Sequence, residues 1–200
     1  MEKKNTEAKI LKILLKQFLV NWTITSLSNE INLSRVGVWK VLKKLKDENF
    51  IILSPIGKGK TSIFSVKLNF ENLVLEKRLS LILTEESSKH QRWINNFEEL
   101  KKITEFVVLY GSVLHSPKEA NDIDILGIVS NKNNFLSVGE IIQKIQKIQH
   151  KKIHSENFTK AEFKKELEKP NKIFIDAIKK GIILFGQEKF IKFIREVSLK

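Results

Sequence analysis

The 200-residue chain contains no cysteine, only three prolines and eight glycines. The absence of cysteine excludes a disulfide scaffold, thiolate zinc sites, iron–sulfur clusters and a cysteine nucleophile. The few prolines and glycines exclude collagen-like and proline-rich chains. Because 42% of the residues are hydrophobic and 30% are charged, disorder throughout the chain is also excluded. These counts predict a folded globular protein.

Long apolar runs are also missing, and no stretch approaches the roughly 20 residues that a membrane span needs. The first residues have the outline of a secretory signal, since Lys3 and Lys4 precede an apolar run. Lys12 and Lys16 interrupt that run, however, and no small-residue cleavage site follows. We therefore expect a cytoplasmic protein without a membrane partner.

Negative charge is scarce, because 36 lysines and arginines face 23 acidic residues, for a net charge of +13. The excess is concentrated at the N-terminus, where residues 1–70 hold 13 basic and 5 acidic side chains, a net charge of +8. An excess of this size predicts a polyanionic partner.

Residues 1–70 predict three helices followed by a β-hairpin. The predicted elements are helices over Ala8–Val20, Leu27–Ile31 and Arg35–Glu48, and strands over Ile51–Pro55 and Ser62–Leu68. Ser26 and Ser34 are expected to cap the second and third helices, with a tight turn over Asn32–Ser34. The hairpin tip, Gly57–Thr61, is rich in glycine and carries two lysines.

This order of elements resembles the winged helix-turn-helix family over residues 5–70. The resemblance implies that the third helix is a recognition helix, that Gly57–Thr61 is the wing, and that the partner is a nucleic acid, with DNA favoured over RNA. The implied contact residues are Arg35, Trp39, Lys40, Lys43, Lys44, Lys58 and Lys60. Two other interpretations stay open: a dimerisation or protein-docking module, and lysines that are merely solvated. A homodimer also stays open, although the sequence has no long zipper-like seam.

After a predicted helical connector over residues 71–87, residues 88–200 alternate between helices and strands, which is typical of an α/β domain. The predicted helices cover Gln91–Ile103, Val138–His150, Lys160–Glu168, Lys172–Lys179 and Gln187–Val197, with Gly181 as a helix-ending residue. The predicted strands cover Glu105–Tyr110, Asp122–Val129 and Lys152–Phe158, and Ile182–Phe185 is a further apolar segment.

One motif in this second region carries chemistry. An apolar strand ends at Gly111-Ser112, nine residues follow, and Asp122-Ile123-Asp124 opens the next apolar strand. Carboxylates two residues apart on a strand point to the same face. At that spacing both can hold a divalent cation such as Mg²⁺, whose preferred ligands are oxygens. A Gly-Ser turn can also bring backbone N–H groups and a hydroxyl close to a phosphate.

This combination resembles the Gly-Ser…Asp-x-Asp signature of the DNA polymerase β-like nucleotidyltransferases, in particular the minimal nucleotidyltransferases. The resemblance covers about residues 88–197 and implies a small mixed sheet flanked by helices, so that the whole chain is α+β or α/β. It also implies an enzyme that transfers a nucleoside monophosphate from an NTP to a hydroxyl. Asp122 and Asp124 would bind two Mg²⁺ (or Mn²⁺) ions, one to activate the acceptor oxygen and one to stabilise the pyrophosphate leaving group. Gly111, Ser112 and Lys118 would hold the triphosphate.

The sequence departs from that family at the third carboxylate. The strand that should carry it reads Lys152-Ile153-His154-Ser155-Glu156, where Glu156 is the best candidate and His154 is a possible base or ligand. Leu114 and His115 also stand where the family commonly has Ala and a basic residue. Two functions therefore stay open: an Mg²⁺-dependent nucleotidyltransferase with a DNA-binding winged helix, and a non-catalytic DNA-binding regulator whose second domain senses nucleotides or dimerises.

Overall fold

The computed structural model describes residues 2–57, 63–169 and 172–198. The chain divides into two compact units, Met1–Ile82 and Leu83–Lys200, and the division falls within the predicted connector. The fold is mixed α+β, with a sheet in each unit. None of the helices formed by the described residues is both long enough and apolar enough to cross a membrane.

The first unit contains the predicted three helices and hairpin, although its first helix covers Glu2–Lys16 and not the predicted Ala8–Val20. Its elements are α1 (Glu2–Lys16), β1 (Trp22–Thr23), α2 (Ile24–Ile31), α3 (Arg35–Asp47), β2 (Ile51–Ile56) and β3 (Ile63–Leu68), followed by α4 (Leu73–Ser88). β3 lies at the centre of a three-stranded antiparallel sheet, between β1 and β2. The buried apolar side chains of the three helices and this sheet form the core of the unit, including Leu11, Leu15, Leu27, Leu42, Leu45 and Val66.

Local hydrogen bonds explain where α2 and α3 begin and end. Ser34 caps α3 as predicted, because its hydroxyl accepts a hydrogen bond from the Gly37 N–H. The prediction that Ser26 caps α2 is wrong. The cap is Thr23, and Ser26 occupies the third helical position and bonds back to the Thr23 N–H, which completes a capping box. Asn32 ends α2 in the left-handed conformation, with φ of 57°, so the predicted turn before α3 is present.

The second unit is built on a four-stranded sheet. Its elements are α5 (Gln91–Asn96), β4 (Phe106–Tyr110), β5 (Asp122–Val129), α6 (Asn134–Gln146), β6 (Lys152–Thr159), α7 (Lys160–Glu168), α8 (Ile173–Lys180), β7 (Ile182–Phe185) and α9 (Gln187–Ser198). The strand order is β6-β5-β4-β7, and only the β5–β6 pair is parallel. The predicted helix over Gln91–Ile103 is interrupted, since α5 gives way to a 3₁₀ helix over Glu98–Lys102.

The two faces of this sheet are covered differently. On one face, Ile123, Ile125 and Val129 of β5 join a buried apolar cluster with residues of α5 and α6. On the other face, Phe106 packs against Phe190 and Phe193 of α9, with ring centroids 5.4 and 5.6 Å apart. The helices α7, α8 and α9 contact this second face, where Leu126 and Ile128 are fully buried.

Gly181 follows α8 as predicted but does not adopt the left-handed conformation of a typical C-terminal glycine, since its φ is −72°. Its role is steric instead. A Cβ at this position would overlap the carbonyl oxygen of Ala177 and the side chain of Val108. A glycine therefore lets the end of α8 approach β4 closely.

Candidate functional sites

Asp122 and Asp124 lie at the start of β5 and share one face of the sheet. Between them Ile123 points into the apolar cluster on the opposite face, as the two-residue period of a strand requires. Farther along β5 the same face becomes apolar and buried at Leu126. The two carboxylates therefore lie at the partly exposed end of a sheet face that is buried farther along β5.

The turn after β4 brings its backbone against one of these carboxylates. Tyr110, the last residue of β4, is paired with Asp124 across the antiparallel ladder. Gly111 follows with φ of 82° and ψ of −166°, a conformation that essentially only glycine adopts. A Cβ on Gly111 would overlap the Asp124 carboxylate. The structure therefore brings the Gly-Ser turn, at Gly111, against the second aspartate.

His154 of β6 completes a three-residue cluster with the two aspartates, which we call the Asp-Asp-His cluster. In the parallel β5–β6 ladder His154 is paired with Asp124. Its Nδ1 atom lies 3.5 Å from Asp122 Oδ2 and 3.5 Å from Asp124 Oδ1. One ligand atom from each of the three side chains falls within 4.8 Å of the others.

The electrostatics of the cluster follow from partial burial and close charges. Burial raises the pKa of Asp124, and the Asp122 charge raises it further, whereas the charge and hydrogen bond of His154 oppose this shift. The pKa of Tyr110 is raised to about 12, first by burial and then by the charges of Asp124 and Glu156. The face therefore has a concentration of negative charge that a cation would stabilise.

The donor set of the cluster fits a divalent metal ion. Carboxylates and imidazoles both bind metal ions in proteins. Carboxylate oxygens prefer hard cations, and imidazole nitrogens prefer transition-metal cations. Two atoms bound to one ion at about 2.1 Å are about 3.0 Å apart in octahedral and about 3.4 Å apart in tetrahedral geometry. The two 3.5 Å separations from His154 are close to these values.

Glu156, predicted as the third carboxylate, does not join the cluster within the part of the chain that the structure describes. It lies on the same face of β6, but it is paired with Leu126, so it is two residues farther along the ladder from the aspartates than His154. Lys152 is paired with Asp122, yet its ammonium group is not within ion-pair distance of a carboxylate among the described residues. The space beside the aspartates is therefore occupied by an imidazole.

The loop between the Gly-Ser turn and β5 is held by a lysine that sequence reasoning missed. Ser112 begins a 3₁₀ helix, and its carbonyl oxygen accepts hydrogen bonds from the His115 and Ser116 N–H groups. Lys151, just before β6, donates to the backbone carbonyls of Lys118 and Ala120. The side chain of Lys118, predicted to hold phosphate, is exposed in this loop.

A second candidate site is the exposed side of α3 in the first unit. Arg35, Trp39, Lys40 and Lys43 are all exposed there, as predicted for a recognition helix. Trp39 is 40% exposed, and its ring centroid lies 6.3 Å from that of Phe64 in β3. Cations flanking an aromatic ring on an exposed helix face can contact phosphates and base edges.

The structure places Lys44, another predicted contact residue, in an ion-pair network. Its ammonium group lies 2.6 Å from Glu7 Oε1 and 3.7 Å from Glu48 Oε1. The Glu7 carboxylate is almost fully buried and also pairs with Arg78, at 3.0 Å. The hydrogen bond that Lys44 donates to the Glu7 carboxylate raises the pKa of Lys44. Lys44 therefore has a structural partner within the unit. Lys58 and Lys60, which the sequence predicts at the wing tip, lie outside the described residues.

Sequence reasoning also missed two side chains at these sites. Val36 is 65% exposed beside Arg35 on α3, and an exposed methyl-bearing side chain there could contact a thymine methyl group. The sequence pattern places Tyr110 only in an apolar strand, and its position directly before the Gly-Ser turn is the signal that it lies at the site. Neither residue type is charged, so neither stood out among the basic and acidic positions.

Comparison with protein-family models identifies the first unit. A model described as an HTH domain matches residues 6–59, which cover most of α1 together with β1, α2, α3 and β2. The chain therefore has an N-terminal helix-turn-helix domain, with a winged-helix arrangement, and this supports binding of nucleic acid, DNA in particular. No curated protein and no solved structure matches the chain.

Proposed function

We propose that this protein binds DNA through its N-terminal domain and that its second unit is a metal-dependent nucleotidyltransferase. The observation that carries the second half of the proposal is the convergence of the Gly111-Ser112 turn with Asp122 and Asp124 on one sheet face. The likeness of this motif to the DNA polymerase β-like signature supports the same conclusion.

Each group of the site has a distinct task in the proposed reaction. The carboxylates of Asp122 and Asp124 hold the cation that accompanies the nucleotide, and the backbone and hydroxyl of Ser112 bind a phosphate. Lys118 contributes a positive charge from its loop. A bound divalent cation would neutralise phosphate charge and activate the acceptor hydroxyl.

The reaction is the transfer of a nucleoside monophosphate. The acceptor oxygen forms a bond to the α-phosphorus of an NTP, the bond from that phosphorus to the bridging oxygen breaks, and pyrophosphate leaves. Glu156, on the same face of β6, accepts the proton from the acceptor hydroxyl. Fixed donors and cations supply most of the stabilisation, because negative charge accumulates on the phosphoryl oxygens.

The test is label transfer from each NTP, labelled at the α-phosphate, in the presence of Mg²⁺ or Mn²⁺. The protein is incubated alone and with cellular RNA, DNA or protein, and label on one acceptor class supports the proposal. The Asp122→Asn/Asp124→Asn variant should transfer no label and retain DNA binding. Asp176→Asn, which changes an exposed aspartate of α8, should transfer label as the unchanged protein does.

One observation favours a second candidate function, a DNA-binding regulator that binds a metal–nucleotide complex without turnover. His154 occupies the position near the aspartates where a third carboxylate is expected, and Glu156 lies two residues farther along β6. NTP binding that depends on both aspartates, with no label transfer to any acceptor, would support this function and contradict the transferase. Absence of both NTP binding and label transfer in the unchanged protein would contradict both functions for the second unit.

A further inference from the structure

We infer that His154 is a direct metal ligand and that the Asp-Asp-His cluster therefore prefers a first-row transition-metal ion such as Mn²⁺ over Mg²⁺. The inference rests on the proposed function in that it concerns the cation of the same site. It goes beyond that function because it assigns a ligand and a metal preference that the resemblance to nucleotidyltransferases does not supply.

The backbone register places the imidazole in this position. β5 and β6 form a continuous parallel ladder from Asp122↔Lys152 to Val129↔Thr159, so a side chain on β6 cannot move along β5 without breaking eight paired positions. Within this register His154 is beside Asp124, and its Nδ1 atom faces both carboxylates at equal distance. An atom equidistant from two carboxylate oxygens is suitably placed to share one cation with them.

Donor chemistry then determines the choice of metal. Mg²⁺ is bound through oxygen and requires near-ideal octahedral geometry, so an imidazole nitrogen is a poor ligand for it. Imidazole binds transition-metal dications well, and Mn²⁺ also accepts carboxylates and phosphate oxygens. A site with two carboxylates, one imidazole and a nucleotide phosphate therefore favours Mn²⁺ over Mg²⁺ more strongly than a site with three carboxylates would.

The direct experiment is pulsed electron paramagnetic resonance of Mn²⁺ bound to the full chain without nucleotide. A ligating histidine gives a ¹⁴N hyperfine modulation in the electron spin echo. We expect this modulation in the unchanged protein and its loss in His154→Ala and His154→Asp. The exposed His150, replaced in His150→Ala, is the matched control and should leave the modulation intact. The Asp122→Asn/Asp124→Asn variant should bind no Mn²⁺ at the site.

Affinities measured by calorimetry complete the test. His154→Ala should weaken Mn²⁺ binding by about tenfold or more while changing Mg²⁺ binding much less. His154→Asp should decrease the ratio of Mn²⁺ to Mg²⁺ affinity, because it restores an all-oxygen site. Circular dichroism of each variant checks that the fold is retained. The resonance measurement on the unchanged protein tests the inference even if a variant does not fold.

Two results would overturn the inference. The absence of ¹⁴N modulation in the unchanged protein would show that His154 only forms ion pairs with the aspartates. Equal losses of Mn²⁺ and Mg²⁺ affinity in His154→Ala would show that the imidazole only positions the carboxylates. The resonance experiment contains no nucleotide, so its result does not depend on NTP binding. If Mn²⁺ has a nitrogen ligand but the protein binds no NTP, the proposed function is contradicted and this inference is retained. Transfer of a nucleoside monophosphate from an NTP, with no nitrogen ligand on Mn²⁺, would support the proposed function and contradict this inference.

Discussion

The backbone of Gly111 and the carboxylate of Asp124 lie so close that a single methyl group on Gly111 would overlap Asp124. Two distant parts of the sequence, a turn and the start of a strand, are thereby fixed against each other. The left-handed φ of Gly111 adds a second reason why no other residue fits there.

The Gly111→Ala substitution should therefore displace Asp124 and strain the turn. We expect a loss of about 1 to 3 kcal/mol in the free energy of unfolding and the loss of metal-dependent NTP binding. Chemical denaturation and nucleotide titration measure the two effects. Gly139→Ala is the matched control, since a Cβ at this position of α6 would have open space. It should stabilise the protein slightly and leave NTP binding unchanged.

The exposed lysines of α3 provide a test of the DNA-binding interface. Lys40→Ala/Lys43→Ala should weaken binding to duplex DNA and reduce the slope of log affinity against log salt by about 1 to 2, because each lost phosphate contact contributes about 0.9. Fluorescence anisotropy at several salt concentrations measures both quantities. Lys101→Ala/Lys102→Ala, which removes two exposed lysines of the second unit, should change neither. An unchanged slope in the first variant would exclude these two lysines from the interface.

Glu7 is expected to stabilise the first unit. Its buried carboxylate accepts hydrogen bonds from Lys44 and Arg78. Glu7→Gln removes the charge that both cations share, so the free energy of unfolding should fall by about 1 to 3 kcal/mol in urea denaturation. Glu99→Gln breaks an exposed pair with Lys144 and should cost less than about 1 kcal/mol. Equal effects of the two substitutions would contradict the role assigned to burial.

The Glu162 carboxylate should make stability depend on pH. Its pKa is lowered to about 2 from the usual 4.5, first by the Thr159 N–H and then by Lys132. A lowered pKa contributes stability that is complete above pH 4.5 and is lost as the pH falls toward 2. The Tm difference between the unchanged protein and Glu162→Gln should therefore be largest above pH 5 and shrink as the pH falls. Glu98→Gln, at an exposed position, controls for the loss of one carboxylate, and a difference that stays constant down to pH 3 would contradict the prediction.

Local pattern predicted most of the secondary structure because the relevant signals lie within a few residues of each other. The strand Asp122–Val129 and the helix Lys160–Glu168 were predicted with their observed ends. Errors arose where a competing local bond decided the boundary, as when Thr23 rather than Ser26 capped α2. The family match to residues 6–59 confirms the helix-turn-helix domain that this pattern indicated.

The sequence by itself determined that Asp122 and Asp124 share a face, because the period of a strand fixes the side on which each side chain projects. It also determined that a glycine precedes Ser112 at the turn. Only the tertiary structure decided which residue of β6 meets the two aspartates. Alternation placed Lys152, His154 and Glu156 on one face, but strand register is set by pairing between distant segments. The observed ladder selects His154, and that selection determines the chemistry of the site.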